Sequence, residues 1–418
     1  MPDGLNKSPF ASVEDAIAEI RAGRMIVVVD DEDRENEGDL TLAAEFVTPE
    51  AINFMARFGR GLICLALTEE RADYLRLAPM TSENTSRCGT AFTESIEARE
   101  GVTTGISAAD RAHTIRVVID PRSTANDLAR PGHVFPLRAR KGGVLVRAGQ
   151  TEASVDLARM AGLVSAGVIC EIMNEDGTMA RVPDLISFCA THGLKMLTVA
   201  SLIRYRLQHE RTIQRVAEAM LPTRYGDFRM IAYESEMDGM ESHVALVYGA
   251  QIGGQIGNEG SHESVSQPVL VRVHTHCLAG DVFGATLCDC HELLDNSLRM
   301  IAEAGQGALI YLHNAGRGFS IDRSGVASSG EMAPSRLVLH RDTQRVPRTD
   351  ELSQERMQRA RRTLRQIGLG SQILSDLGIH RIRLLTNTPT HIPALQGFGI
   401  EIVEQVRIPL STAVPIAR

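Results

Sequence analysis

Between residues 30 and 39 the chain places seven carboxylates in ten positions, Asp30-Asp31-Glu32-Asp33-Arg34-Glu35-Asn36-Glu37-Gly38-Asp39. Anions so crowded call for a cation. A hard divalent ion such as Mg2+ takes oxygen ligands from one or two carboxylates and keeps waters of its own. The competing reading is a solvated acidic turn, the usual fate of a charge run. Three other stretches could move protons or bind anions. Arg130-Pro131-Gly132-His133-Val134-Phe135-Pro136-Leu137 carries His133, either an acid/base group or a structural imidazole after Pro-Gly. Arg147-Ala148-Gly149-Gln150-Thr151-Glu152 reads as a backbone-exposing turn with a guanidinium for phosphate and a hydroxyl beside it. Cys170-Glu171 opens the run Cys170-Glu171-Ile172-Met173-Asn174-Glu175-Asp176-Gly177-Thr178-Met179-Ala180-Arg181.

In the second half Cys277, Cys288 and Cys290 have the spacing C-x10-C-x-C. Three thiolates with no fourth protein ligand suit a zinc ion that keeps one position open. Cys64, Cys88, Cys170 and Cys189 are scattered and the total of seven is odd, which speaks against a disulfide framework.

Taken in order and spacing, DDEDRENEGD, GVTTGISAADR (101–111), RPGHVFPL, RAGQTEA and CEIMNEDGTMAR resemble the 3,4-dihydroxy-2-butanone-4-phosphate synthase family over roughly residues 10–207. The resemblance implies a lyase that takes ribulose 5-phosphate through enolisation, dehydration and skeletal rearrangement to a four-carbon phosphate and formate. It further implies that Glu35 ligates magnesium or manganese, and that Arg34, Glu35 and Asp39 contact the sugar phosphate. Arg147, Ala148, Gly149, Gln150 and Thr151 would form another substrate-binding loop, with His133 and Glu171 as acid/base residues and Glu171 also touching substrate. The run from Ser107 to Arg111, with Asp110, serves the same pocket or caps a helix. Gln150 departs from the family, which has His there as a second metal ligand. Glutamine offers a neutral carbonyl oxygen that Mg2+ accepts, but it cannot titrate. A weaker working site, an inactivated variant and a domain drifted out of catalysis are the three readings of that change.

Arg272 to Cys277 (RVHTHC), Leu287-Cys288-Asp289-Cys290, Ile310-Tyr311-Leu312, Gly316-Arg317-Gly318, Gly370 to Leu374 and Leu384 to Pro389 resemble GTP cyclohydrolase II over about residues 225–410. The resemblance makes Cys277, Cys288 and Cys290 zinc ligands and Arg272, Tyr311, Arg317, Arg365 and Thr386 remnants of a GTP site. Departures are many. His276 and Ala315 replace glutamates, Leu293 a glutamine, Thr363 the aspartate base, Ile367 a tyrosine and His391 a lysine. Polar groups of this kind decide recognition by orders of magnitude. The expectation is a zinc-binding domain that keeps its scaffold and has lost most GTP chemistry. Two alternatives stand beside it: a bifunctional enzyme still hydrolysing GTP, and a non-catalytic assembly or regulatory protein of the flavin pathway. Joining the two domains in one chain is itself typical of riboflavin-pathway proteins.

The elements that must hold these groups alternate. Residues 12–22 have helical apolar spacing, and Met25–Val29 reads as a strand running into the acidic loop 30–39. Thr48-Pro49 starts a helix. Strands are expected at Gly61–Leu67, Thr114–Ile119, Gly143–Val146 and Val168–Met173, and helices at Glu69–Leu75 and Glu152–Ala161. A helix, a short strand Met196–Thr198 and a second helix fill 184–208. The stretch HERTIQRVAEAMLPTRYGDF has no strong apolar period and reads as the boundary. Strands then follow at Phe228–Glu234, His243–Tyr248, Val269–Val273 and Ala308–Leu312, with a helix at Leu293–Ala304 and a weakly patterned, partly disordered stretch Arg341–Arg359. The class is α/β (α+β) with two domains, each a mixed sheet with flanking helices: 1–207, a linker at 208–222, and 223–418.

With 418 residues, 43% apolar and 23% charged, the composition is that of a soluble globular protein too long for one core. No window approaches the ~18 apolar residues of a membrane span, and the start lacks the basic-then-apolar order of a signal peptide. A cytoplasmic location is expected. A net charge of −8 with no basic face excludes nucleic acid as the partner. The expected partners are a small sugar phosphate, met by local arginines, and a second copy in a homodimer.

Overall fold

The computed structural model describes residues 8–30, 35–86, 88–235, 242–249, 252, 267–313, 319–322, 336–339, 367–387 and 399–410. The chain divides into two compact units, Met1–Arg206 and Leu207–Arg418. Each is built on a seven-stranded mixed sheet with helices against it.

In the first unit the strands are β1 (Ile26–Val29), β2 (Gly38–Ala43), β3 (Cys64–Leu67), β4 (Ile96–Ala98), β5 (Leu128–Arg138), β6 (Ala166–Glu171) and β7 (Lys195–Thr198). They lie in the order β4-β5-β3-β6-β2-β1-β7. β3–β5 and β1–β7 are parallel, and the other pairs are antiparallel. Every residue of β1, β2 and β3 is buried, as expected of strands covered on both faces. One face packs beneath α2 (Pro49–Phe54), α4 (Ala108–Ile119) and α6 (Val182–His192), with Leu40, Leu65, Val168 and Ile115 in its core. The other packs against α1 (Val13–Arg21), α5 (Gln150–Met160) and α7 (Val199–His209), with Ile26, Val28, Leu157 and Leu202 in a second core. Helix starts are chemically marked. Ser12, Thr48, Thr68 and Ser107 each accept a backbone N–H three residues on, Thr68 opening α3 (Glu69–Tyr74).

Three expectations fail here. Thr114–Ile119, read as a strand for its β-branched residues, is the end of α4: Ala112, Ile115 and Val118 recur at helical spacing and are buried, and the Thr114 hydroxyl oxygen accepts the Ala98 N–H at 3.0 Å. Gly143–Val146 is a 3-10 turn, because Gly142 and Gly143 have φ of 93° and 64°, outside strand geometry. The acidic run is not all loop: its last two residues open β2, Gly38 pairing with Val29 and Asp39 with Val28.

The second unit has β8 (Ile213–Thr223), β9 (Gly226–Ser235), β10 (Ser242–Tyr248), β11 (Val269–Thr275), β12 (Gly307–Leu312), β15 (Arg381–Leu385) and β16 (Glu401–Val406) in the order β16-β15-β11-β12-β10-β9-β8. β13 (Phe319–Asp322) and β14 (Arg336–Leu339) pair separately. α8 (Cys290–Glu303) packs Leu293, Leu298 and Ile301 into a core with Phe228, Leu309 and Leu385. Residues 208–222 are therefore not a linker. Most of them form β8, an edge strand so exposed that its apolar pattern is weak. Arg341–Arg359 lies outside the described residues.

Candidate active site and metal centre

The register gathers the first constellation at one end of the first sheet. Cys64 pairs with both Phe135 and Ile169, so His133, two residues before Phe135, and Glu171, two after Ile169, lie beyond the same end of β3. Asp39 pairs directly with Glu171, and Asp30 follows the end of β1 there. Asp30 is an organiser: its two carboxylate oxygens accept the N–H of Glu35 (3.2 Å) and Glu37 (3.0 Å). Arg181 pins the same loop by donating to the carbonyls of Glu35 (2.7 Å) and Asn36. Glu171 accepts the Leu62 N–H at 2.8 Å, and a Cβ on Gly61 would lie 2.5 Å from that carboxylate. Glycine there admits the side chain.

The charges left at this end repel one another. Burial, then the neighbouring Glu171 and Glu35, push the Asp39 carboxyl well above its usual range. Burial also raises Glu171 against the pull of its backbone hydrogen bonds, and burial followed by Glu35 raises Glu37. Asp39 Oδ1 and Asn36 Oδ1 are buried acceptors with no hydrogen-bond partner. A cluster of carboxylates with orphaned acceptor oxygens fits a hard cation. Gln150, the first residue of α5, is 4% exposed, and its Nε2 donates to the Glu37 carbonyl at 3.4 Å. It therefore stands at this cluster, where its amide oxygen is the ligand atom it can offer. Glu35 and Gln150 would hold Mg2+ or Mn2+ here, with Asp39 beside them.

His133 is half-exposed and meets Glu97, Nδ1 to Oε2 at 3.0 Å. Asp110 is not free for substrate. It accepts Thr103 N–H, Thr103 hydroxyl and Gly105 N–H, and the Ser107 side chain caps α4. These bonds hold the Asp110 carboxyl below its usual range. Arg147 is likewise engaged: it donates to Glu152 (2.7 Å), the Cys88 carbonyl (3.2 Å) and the Thr90 hydroxyl (3.1 Å). Glu152 also accepts the Arg140 N–H, so this guanidinium anchors the loop 140–149 to α5. Ala148 and Thr151 are buried at the turn, and Gly149 is the N-cap of α5. Arg34 lies outside the described residues.

In the second unit the Cys277, Cys288 and Cys290 sulfurs lie within 4.8 Å of one another. Gly280 makes the space, since a Cβ there would stand 2.5 Å from Cys288 Sγ and 3.3 Å from Cys277 Sγ. Burial raises the Cys277 and Cys290 thiols, so without a cation they keep their protons. Three soft donors converging on a cradle fit Zn2+. Behind them Asp281 accepts from His274 Nε2 (2.9 Å), the Cys277 N–H (2.8 Å) and the Tyr311 hydroxyl (2.8 Å). Burial opposes its ionisation, but these bonds together outweigh burial and hold the carboxyl low. With the phenol proton on Asp281, His276 Nδ1 donates to the Tyr311 oxygen at 2.6 Å. Burial, then His313, lowers His276. Arg272 donates to the Leu385 carbonyl (3.0 Å), and Thr386 follows β15 with its N–H on the Val406 carbonyl.

Comparison with known proteins separates the two halves. The profile of the 3,4-dihydroxy-2-butanone 4-phosphate synthase family matches residues 14–205, and that of GTP cyclohydrolase II matches 214–407. Riboflavin biosynthesis protein RibBA of Aquifex aeolicus is 51% identical over 402 residues, covering 96% of this chain and 92% of that protein. This chain belongs to the RibBA family. The Salinispora tropica RibBA is 47% identical over 404 residues, covering 96% and 94%. Among solved structures, RibBX, a two domain 3,4-dihydroxy-2-butanone 4-phosphate synthase from A. baumannii, is similar with a TM-score of 0.72 and 37% identity, covering 94% of this chain and 99% of that one.

RibBA membership extends over both halves, and nothing in these likenesses marks the C-terminal half as a degenerate copy. That expectation rested on Ala315, Thr363 and His391, which lie outside the described residues together with the retained Arg317 and Arg365, and on His276, Leu293 and Ile367. Leu293 packs in the α8 core, an apolar duty. Sequence reasoning missed Glu97, Arg181 and Asp281 as organisers. Asp281 stands four residues after Cys277, a spacing that could have flagged it. Glu97 sits on a three-residue strand with no motif around it. Among the described residues no helix is long and apolar enough to cross a membrane.

Proposed function

We propose that the N-terminal half converts D-ribulose 5-phosphate to L-3,4-dihydroxy-2-butanone 4-phosphate and formate. The observation that carries it is the convergence of His133, Glu171, Asp39 and the Glu35–Glu37 loop at one sheet end. The overall change needs no oxidant: five carbons leave as four plus one, with hydrogen and oxygen conserved between substrate and the two products. What it needs is repeated proton transfer. Burial raises the Glu171 carboxyl above its usual range, and with the imidazole of His133 it supplies a pair of general acid/base groups. Burial, joined by the nearby Glu35, keeps the Glu171 carboxyl from ionising cheaply, while Asp39 faces it across the β2–β6 pair. A divalent ion, when bound at Glu35 and Gln150, supplies positive charge beside developing oxyanions. The remaining donors of Arg147 are offered from a fixed position, because Glu152 and the 88–90 segment hold its guanidinium still.

The test is formate release from ribulose 5-phosphate with Mg2+, comparing the chain with Gln150→His. Turnover by the unaltered chain supports the lyase. If neither protein makes formate the reading fails, and rescue only in Gln150→His marks this chain as an inactivated variant.

For the C-terminal half we propose zinc held by Cys277, Cys288 and Cys290 in a domain that has lost GTP turnover. Ala315 and Thr363 in place of two carboxylates support it. Family membership over 214–407 and the 51% identity across both halves favour the second reading, a bifunctional chain that still opens GTP. Formate or pyrophosphate release from GTP with zinc present decides for the second. A homodimer belongs to the same proposal, and light scattering after size exclusion tests it.

A further inference from the structure

Glu97 lies outside every motif above, yet its carboxylate ends on the ring of His133. The two are not cross-strand partners. The β4–β5 register shifts between Ile96 and Glu97: Ile96 pairs with Val134, and Glu97 with Ala129. The residues skipped are 130–133, the Arg-Pro-Gly-His stretch. Gly132 lies so close to β4 that a Cβ there would stand 2.1 Å from the Ile96 carbonyl carbon. Only a residue without a side chain lets the bulge lie this flat, and the bulge is what brings residue 133 to residue 97.

A third segment closes over the pair. A Cβ on Gly105 would stand 1.8 Å from Glu97 Oε2 and 2.7 Å from His133 Nδ1, and Gly105 has a φ of 85°. The loop therefore passes directly beside the hydrogen bond. Asp110 fixes it there through the Gly105 N–H (3.1 Å) and the Thr103 hydroxyl (2.7 Å). The side chain of His133 is 44% exposed and that of Glu97 only 23%. The ring is open to a reactant while its partner is covered.

A carboxylate only accepts, so the shared proton belongs to Nδ1 and the lone pair to Nε2. We propose that Glu97 is a positioning residue that fixes His133 in the Nδ1–H tautomer, leaving Nε2 as the atom that takes and returns a proton. A carboxylate behind an imidazole orients the ring and stabilises its protonated form. The inference rests on the reading of His133 as an acid/base group of the lyase.

Glu97→Gln and Glu97→Asp test it, with two readouts. In Glu97→Gln, whose amide can donate to Nδ1, kcat is expected to fall at least about tenfold while KM moves little. Glu97→Asp restores the charge on a shorter stem and is expected to fall between that variant and the unaltered chain. The second readout is 15N NMR of histidine-labelled protein, with His133 assigned by its loss in His133→Gln. The unaltered chain should show a protonated Nδ1 and an unprotonated Nε2, and Glu97→Gln should lose that signature. The NMR readout needs no turnover, so a chain that makes no formate would sink the lyase reading and still test Glu97. Retention of the Nδ1–H tautomer in Glu97→Gln, or an unchanged kcat, overturns the proposal. If Glu97→Gln does not fold, the same two readouts on Glu97→Asp decide: an unchanged tautomer with full loss of kcat also overturns it.

Discussion

Residue 150 sets the strength of the N-terminal metal site. Its amide is buried at the start of α5 and tied to the Glu37 carbonyl. An imidazole at that position is a stronger donor and adds a titratable group. Gln150→His is therefore expected to tighten Mg2+ binding by about 10- to 100-fold, the range by which one altered interaction changes metal sites. Isothermal titration with Mg2+ checks this without reference to turnover, and equal affinities would remove residue 150 from the ligand set. Arg147 sits three residues earlier and has the opposite character. Sequence alone suggested a phosphate ligand, but its partner Glu152 is 1% exposed at the carboxylate side chain. Arg147→Ala strands that charge with the Arg140 N–H as a remaining donor. Breaking a buried pair from one side costs about 3 kcal/mol, which in a unit of this size is about 6–12 °C of melting temperature. A residue devoted to substrate would leave the melting temperature unchanged, so calorimetry of Arg147→Ala separates anchoring from binding.

At the scale of elements, α1 is fastened to the edge of the first sheet by charge. Glu19 takes Arg24 as a hydrogen-bonded partner and Lys195 of β7 at 3.2 Å, and Asp15 holds the same lysine at 3.2 Å. The Arg24 bond, opposed by burial and joined by Lys195, lowers the Glu19 carboxyl from 4.5 to about 2. A depressed carboxylate contributes stability that is fully present above its unfolded pKa and lost as pH falls through the folded one. The window here runs from 4.5 down to about 2. Between those values Glu19→Gln should lose less stability than the unaltered chain, and above pH 5 it should be slightly the less stable. Urea melts at stepped pH measure both arms. The effect is modest because Arg24 is largely exposed.

What was legible in the sequence follows from the same local chemistry. Thr48 announces α2 because a cap is a contact between near neighbours. The motif residues Asp39, His133, Glu171 and Gln150 were found by type and order, and the sheet brings them to one end. Thr114–Ile119 was misread because β-branched residues favour strands on average, while the helix is decided by Ser107 and by a core three residues apart. β8 escaped because an exposed edge strand has little apolar period. Glu97 escaped for a different reason: it acts on His133, far away in the chain, through a bulge that no spacing rule records.

At the scale of the whole chain, the cysteines other than the part-exposed Cys88 divide into two chemical classes. Burial pushes the Cys170 and Cys189 thiols up to about 12 and about 11, and raises Cys64 as well. All three are buried, so at neutral pH they carry no thiolate and offer no access. Cys277, Cys288 and Cys290 are part-exposed, so a reagent can reach them, and zinc shields them by taking them as thiolates and occupying their lone pairs. Alkylation at pH 8 with peptide mapping should then label Cys88 alone in zinc-loaded protein, and Cys277, Cys288 and Cys290 in addition once a chelator has removed the metal, with Cys64, Cys170 and Cys189 silent until the chain unfolds. The chelator should also lower the stability of the second unit while leaving the first unit's melt in place, since binding free energy at three thiolates is folding free energy for the segment they tie together. Asp281→Asn extends the test. It weakens the acceptor that holds the Cys277 N–H and Tyr311, so zinc should be lost at about 10- to 100-fold lower chelator concentration. Full alkylation of the three cysteines in freshly purified, zinc-supplemented protein would mean that they hold no metal, and that the cradle at Gly280 serves packing alone.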